Sequence, residues 1–424
     1  MWLNQLTKFI CLNGALFFGF LSVHAQQADI EYLCSEGLAG RGYVNNGLNI
    51  AADYIAQEFE KAGLQPIDKK WFQPFRMSVN TFPGAMDVQV GERKLIAGSD
   101  YLVKASSSSL KGTFQLRHVH LEDLEFDKAF EELRGEDLSN TVLVLDTMTF
   151  TESVVDRRYK FIQYNQIKAK GIIIKSKRNL LWTVAQDQAV YFTLECTPAA
   201  IQGSDKKVSL NVQSKFVKKF KAKNVWGMVP GTEYKDSFLF ITAHYDHLGM
   251  MGENTYFPGA NDNASGTAMM LELARYYAKN PQALTVVFVA FTAEEAGLVG
   301  SKYFSENSPF PLSKIRFLMN LDLEGTGKDG ITAVNATIFE EDYNALLAVN
   351  DTGKYLSKIV RRGKAANSDH YWFTEQGVPS FFIYQMGEYG HYHDPGDKPE
   401  GLPLDAFVPT QQLVIDFYTR LQER

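Results

Sequence analysis

The sequence predicts an α/β protein in which a mostly parallel, helix-flanked sheet is interrupted by a β-rich insertion. Two observations carry this. From Val225 onward, apolar strand-like runs alternate with amphipathic helices, the pattern of a sheet covered on both faces. Between about Asp87 and Lys215 that alternation gives way to short β-like runs separated by turns. With 424 residues, 45% of them hydrophobic, the chain is long enough for two domains, each with its own core.

Residues 1–25 contain one charge, Lys8, then an apolar run from Phe9 to Val23 and a small-residue end at Ala25. This pattern is that of a secretory signal peptide cut after Ala25, with a periplasmic or secreted product. The run is shorter than the ~20 apolar residues a membrane span needs. Cys11 lies inside it, which argues against a lipid anchor. No later stretch of sequence is long and apolar enough to enter a membrane.

Asn49–Ala62 follows, with Ile50, Tyr54, Ile55 and Phe59 at helical spacing and a stop at Gly63. The expected insertion, 87–215, contains the strand-like runs VQV, TFQLRHVHL, NTVLVLD and IIIK, with one helical stretch at Tyr159–Lys170. Residues 26–86 and 216–424 then form the discontinuous second domain. Its expected strands are Ser237–Ala243, Leu284–Phe291, Ile315–Leu321 and Val378–Tyr384; its helices are Thr267–Lys279 and one around Ser301–Glu306.

Charge and cysteine content narrow the function. With 43 Lys and Arg against 49 Asp and Glu, the chain is mildly acidic, which argues against nucleic-acid or anionic-membrane partners. The basic run Lys215–Lys223 is expected to decorate a linker or an edge strand. Beyond the signal segment only Cys34 and Cys196 remain, too few for a thiolate metal site. An exported chain permits a disulfide between them; two buried free thiols are the alternative.

Five segments place an acid or a histidine where a strand should end: TAHYDHLG (242–249), GANDNASG (259–266), AFTAEEAG (290–297), NLDLEG (320–325) and HYHDPGD (391–397). In α/β sheets, ligands bind beyond the carboxyl ends of strands. Five of the 8 histidines, His244, His247, His370, His391 and His393, fall in or beside these segments. Imidazole and carboxylate are the donors that zinc prefers.

Each segment offers a role. His244 leaves its strand first and is a ligand candidate. Asp246, grouped with the catalytic set, is a candidate acceptor for the other N–H of that imidazole. His247 is expected to be structural or substrate-facing. Asp262 lies in a Gly-flanked loop, between Asn261 and Asn263; its two oxygens can bridge cations ~3.5–4 Å apart. Of the adjacent Glu294 and Glu295, one can bind metal while the other moves a proton. Asp322 follows the apolar FLMNL, where an unpaired carboxylate is costly to bury. His393 has Asp397 four residues on as a candidate acceptor. Tyr389 and Tyr392 could steady an oxyanion, although packing roles are commoner for tyrosine.

These segments resemble the co-catalytic zinc exopeptidases of the bacterial leucyl aminopeptidase type, which carry H-x-D, GAxDxxSG, EE, LD and a terminal H-x-x-x-D in this order. The likeness covers GLAGRG (37–42), the helix after it and most of 225–424. It implies the phosphorylase/hydrolase-like zinc exopeptidase fold with a mixed sheet, two Zn2+ per chain and peptide substrates. By the same resemblance Asp262 joins the metals, Glu295 and His393 complete one site, His244 and Asp322 the other, and Glu294 is the general base. The insertion resembles a protease-associated domain. Ser368-Asp369-His370 is similar to a family feature that would put His370 near the substrate cleft.

The implied function is that of a secreted zinc aminopeptidase. Glutaminyl cyclases, which bind one zinc through counterparts of Asp262, Glu295 and His393, and carboxypeptidases are alternatives on the same fold. Intact His244 and Asp322 favour the two-metal peptidase. A metal-free binding protein would predict lost ligands, and none is lost.

Overall fold

The computed structural model describes residues 26–146 and 153–423. The signal peptide expected at 1–25 lies outside the described residues. Two eight-stranded sheets organise the chain. In the first, the spatial order is Phe72–Thr81, Lys215–Val229, Leu284–Phe291, Tyr234–His244, Ile315–Leu321, Ser380–Gln385, Ile331–Val334 and Ile359–Arg361. The four central strands run parallel. The strands Phe72–Thr81, Lys215–Val229 and Ile331–Val334 join antiparallel, so the sheet is mixed.

Near-continuous apolar runs such as LTVVFVAF are what a strand buried on both faces requires, and this one is buried from Thr285 to Phe291. One face packs on the helices Gly47–Ala62, Gly266–Lys279 and Phe407–Gln422, around Phe59, Met269, Phe288 and Phe417. The other face is closed by a cluster that includes Phe240, Phe291, Phe304 and Phe373. Register sets the height of the future site. His244 pairs with Phe291, and Thr242 pairs with Asn320. Asp322, two residues past Asn320, therefore leaves its strand at the level of His244.

The second sheet is built from strands between Met86 and Val212, in the order Arg93–Leu95, Met86–Val90, Lys207–Val212, Leu110–Val119, Thr141–Asp146, Gly171–Lys175, Phe192–Cys196 and Tyr101–Val103. This region is less purely β than its sequence suggested. Three helices, Leu121–Glu125, Asp127–Gly135 and Ser153–Gln163, pack with Val119, Leu143, Leu145 and Ile172 on one face. The helix expected at Tyr159–Lys170 begins earlier and ends at Gln163, because Asn165 and Lys168 turn with positive φ.

Lys215–Lys223 is not a linker but strand, and it pairs on one side only, as an edge does. It opens a 15-residue strand that pairs with Phe72–Thr81 from 215 to 225 and with Leu284–Phe291 beyond. Cys34 and Cys196 are free, buried thiols in separate cores. Among the described residues no helix is long and apolar enough to cross a membrane.

Candidate metal centre

The carboxyl ends of the parallel strands bring five distant segments into one cluster. His244 Nε2 lies 3.3 Å from Asp262 Oδ1 and 3.3 Å from Asp322 Oδ1. His393 Nε2 lies 3.0 Å from Asp262 Oδ2 and 3.2 Å from Glu295 Oε2. The two oxygens of Asp262 thus serve two histidines. Glu294 joins His244 and Asp322 in one group of potential ligands, and His247 joins Asp262 and Glu295 in another.

The geometry fits a cation better than a set of hydrogen bonds. The Nδ1 atoms of both rings already face carbonyls: His244 meets Asp246 O at 3.1 Å and His393 meets Trp182 O at 2.8 Å. A neutral ring that donates from Nδ1 presents a lone pair at Nε2, and each Nε2 faces two carboxylates. Asp322 Oδ1 is buried without a hydrogen-bond partner. Such contacts need a proton or a metal between them. Tetrahedral zinc with bonds near 2.1 Å would set its donors about 3.4 Å apart, close to the separations found.

Electrostatics point the same way. Burial opposes charge on His393, yet Glu295 and Asp262 push its pKa up to about 11. His244 is held well above the usual range against the cost of burial, chiefly by Asp322 and Glu294. Against burial, His393 and His247 draw Glu295 down to about 2. Glu294 moves the other way: burial pushes its carboxyl well above the usual range, and although His244 opposes this, Glu295, Asp369 and Asp322 add to it. One of the two adjacent glutamates is therefore held as an anion, while the other has the raised proton affinity that suits a group exchanging protons.

The supporting contacts differ in three places from the sequence expectation. The acceptor for the His244 ring is the Asp246 carbonyl; the Asp246 carboxylate is 3.8 Å away. That carboxylate instead accepts the backbone N–H of Glu294 at 3.1 Å and of Glu295 at 3.4 Å, and the Tyr43 hydroxyl at 3.0 Å. Asp246 thus fixes the turn carrying the two glutamates and touches no reacting group. Asp397 does not orient His393: it accepts the N–H groups of Asn261 (2.8 Å) and Asp262 (3.1 Å) and the Tyr389 hydroxyl (2.9 Å). Its nearness in sequence to His393 misled, because the loop folds it beneath the Asp262 turn.

His370 is fully buried against Phe382 and does not line the cleft; burial pushes its pKa down to about 3. Its neighbour Ser368 makes the contact, donating to Asp322 Oδ2 at 2.8 Å. Tyr392 stacks on His393 with ring centroids 4.0 Å apart. His247 Nδ1 sits 2.7 Å from Glu295 Oε1, leaving Oε2 turned to His393. Gly259 has φ +60°, and a Cβ there would meet the His247 ring at 2.4 Å, so glycine is required where the loop passes this histidine.

Sequence reading missed two supports. Arg41, in GLAGRG, is fully buried and donates to the carbonyls of Tyr245 (2.9 Å), Leu33 (2.8 Å), Pro258 (2.6 Å) and Gly259 (2.7 Å). One guanidinium thereby ties the His244 and Asp262 segments together. The Trp182 backbone carbonyl accepts from the His393 ring, and its backbone N–H donates to the His393 carbonyl at 3.0 Å. It packs in the core of the second sheet, stacked on Phe257 at 4.7 Å. A lone arginine in the Gly-rich run GLAGRG could have flagged the first; no local signal marks the second.

A covered, mostly parallel sheet with paired carboxylates and histidines at its strand ends defines a metallohydrolase-type α/β protein. Residues 224–418 match the family described as Peptidase family M28. Among curated proteins, Aminopeptidase YwaD of Bacillus subtilis (strain 168) is 31% identical over 184 residues, which are 42% of this chain and 39% of that protein. A probable leucine aminopeptidase of Arthroderma otae is 26% identical over 228 residues, 51% of this chain and 62% of that protein. The chain thus spans less than two thirds of the length of these relatives.

Among solved structures, BSAP, a zinc aminopeptidase from Bacillus subtilis, superposes with a TM-score of 0.72 over 94% of both chains at 19% identity. An aminopeptidase from Aneurinibacillus sp. strain AM-1 gives 0.64 over 94% of this chain and 93% of that one, at 21% identity. The likeness in fold spans both sheets.

Proposed function

We propose that this protein is a two-zinc aminopeptidase that hydrolyses the N-terminal peptide bond of peptides. The observation that carries the reading is Asp262, whose oxygens meet His244 on one side and His393 on the other. His244 and Asp322 would hold one ion and Glu295 and His393 the other, with Asp262 shared. The ions would supply Lewis acidity to the scissile carbonyl and the attacking water. Glu294, whose carboxyl is held above the usual range, takes a proton from that water and delivers it to the leaving amine nitrogen. Asp246 keeps the Glu294–Glu295 turn in place through its two N–H acceptances, and Ser368 keeps Asp322 turned to His244.

The names of the relatives support peptide bonds as substrates, and residues 1–25 support export to the periplasm or beyond. The domain on the second sheet is proposed to be of the protease-associated kind, set against the metal centre through Trp182. The test is a peptide with N-terminal glutamine, followed by mass spectrometry with metal analysis. Loss of a residue with about two zinc per chain supports the reading. Loss of ammonia without hydrolysis, or release from the C-terminus, would replace it.

A further inference from the structure

The cleft above the metal cluster is a cavity of about 220 Å³, below the roughly 300–1,000 Å³ of pockets for drug-sized ligands. It suits one residue or a dipeptide. It is lined by the candidate ligands His244, Asp262, Glu294, Asp322 and His393, and also by Phe382, Tyr384 and Arg362. Phe382 and Tyr384 are two apart on one strand and so share a face.

Arg361 ends the last strand of the first sheet and Arg362 follows it directly. Arg361 is spoken for by an ion pair with Glu340 and by the Tyr343 ring, 5.9 Å below it. Arg362 turns to the cavity, where its Nη1 donates to the Tyr384 hydroxyl at 3.3 Å. Among the described residues no carboxylate lies within ion-pair distance of Arg362. Of the residues lining the cavity, it is the one Lys or Arg.

Charge balance makes this informative. Asp262, Glu295 and Asp322, with Glu294 when ionised, bring up to four negative charges, which two divalent ions would offset. Arg362 then leaves the cavity positive, with unused donors in the planar fork that suits a carboxylate.

We propose that Arg362 binds a carboxylate of the substrate in the cavity. The proposal rests on the two-zinc peptidase reading. An acidic side chain on the N-terminal residue and the free C-terminus of a dipeptide are the two sources of that group.

The test uses the zinc-loaded protein with four substrates: glutamyl- and leucyl-p-nitroanilide, and the dipeptide Leu-Gly with its C-terminal amide. A charge-assisted hydrogen bond predicts a preference of roughly ten- to a hundredfold in kcat/KM. In Arg362→Leu the preference for the carboxylate-bearing member of one pair should fall at least tenfold, and Arg362→Lys should restore part of it. The pair that responds identifies the source. Unchanged ratios in both pairs, in an active variant, would overturn the role of Arg362 alone. Failure of the wild type to cleave any of the four would remove the peptidase reading, and this inference with it.

Discussion

The Nδ1 atom of His393 lies 2.8 Å from the carbonyl oxygen of Trp182, so a residue in the core of the second sheet orients a metal-ligand candidate of the first. The indole holds the carbonyl in place: its Nε1 donates to Val103 O at 2.9 Å, and its ring stacks on Phe257. Outer contacts of this kind typically govern 10–100-fold in metal affinity. Trp182→Ala is therefore expected to weaken zinc binding through His393 by that factor, with Trp182→Phe closer to wild type. Competition with a chelator measures it. In a His393→Ala background the same change should add little; an undiminished effect there would mean that Trp182 acts elsewhere.

Glu294→Gln keeps the volume and removes the proton acceptor. Zinc content should stay near wild type while kcat falls roughly 10²–10⁴-fold. Turnover within tenfold of wild type would take proton transfer away from Glu294.

Chelation should lower the melting temperature, and zinc should restore it, because the donor set is assembled only in the fold. At a zinc concentration a hundred times Kd the linkage is worth about 2.7 kcal/mol. Affinity should also depend on pH. Without metal, His393 holds its proton up to about pH 11, and His244 is likewise raised. Metal binding must therefore expel protons, and zinc affinity should rise with pH through the neutral range. Isothermal titration in buffers of different ionisation enthalpy counts the protons released. A pH-independent affinity would contradict the protonation assigned to the two rings.

Arg41→Met would leave four buried carbonyls without their shared donor. Each unpaired buried acceptor costs about 1–3 kcal/mol, less where water enters. Urea denaturation should show a loss of at least ~3 kcal/mol, and Arg41→Lys should recover only part of it because a point ammonium cannot replace the fork. Wild-type stability in Arg41→Met would mean that the His244 and Asp262 segments hold together without it.

The ligand candidates were legible because each sits in a local pattern. An apolar strand runs out, a glycine or a turn follows, and a carboxylate or imidazole stands at the junction, as with Asp322 after FLMNL. Expectations based on proximity along the chain fared less well. Asp246 and Asp397 stand two and four residues from the histidines they were expected to serve. Both instead accept backbone N–H groups of segments 48 and more than 130 residues away in sequence. A carboxylate goes to whichever donors the packed loops present, and spacing says nothing of those.

By itself the sequence determined the strand and helix alternation and the chemical identity of the donors, since periodicity and residue type act over a few residues. Only the tertiary structure decided what holds those donors and what faces them: Arg41 under Tyr245 and Gly259, Ser368 on Asp322, Trp182 on His393, and Arg362 across the cavity. The reason is physical. Local sterics set which way a side chain leaves its strand, whereas its partner is chosen by how segments some 200 residues apart pack against one another.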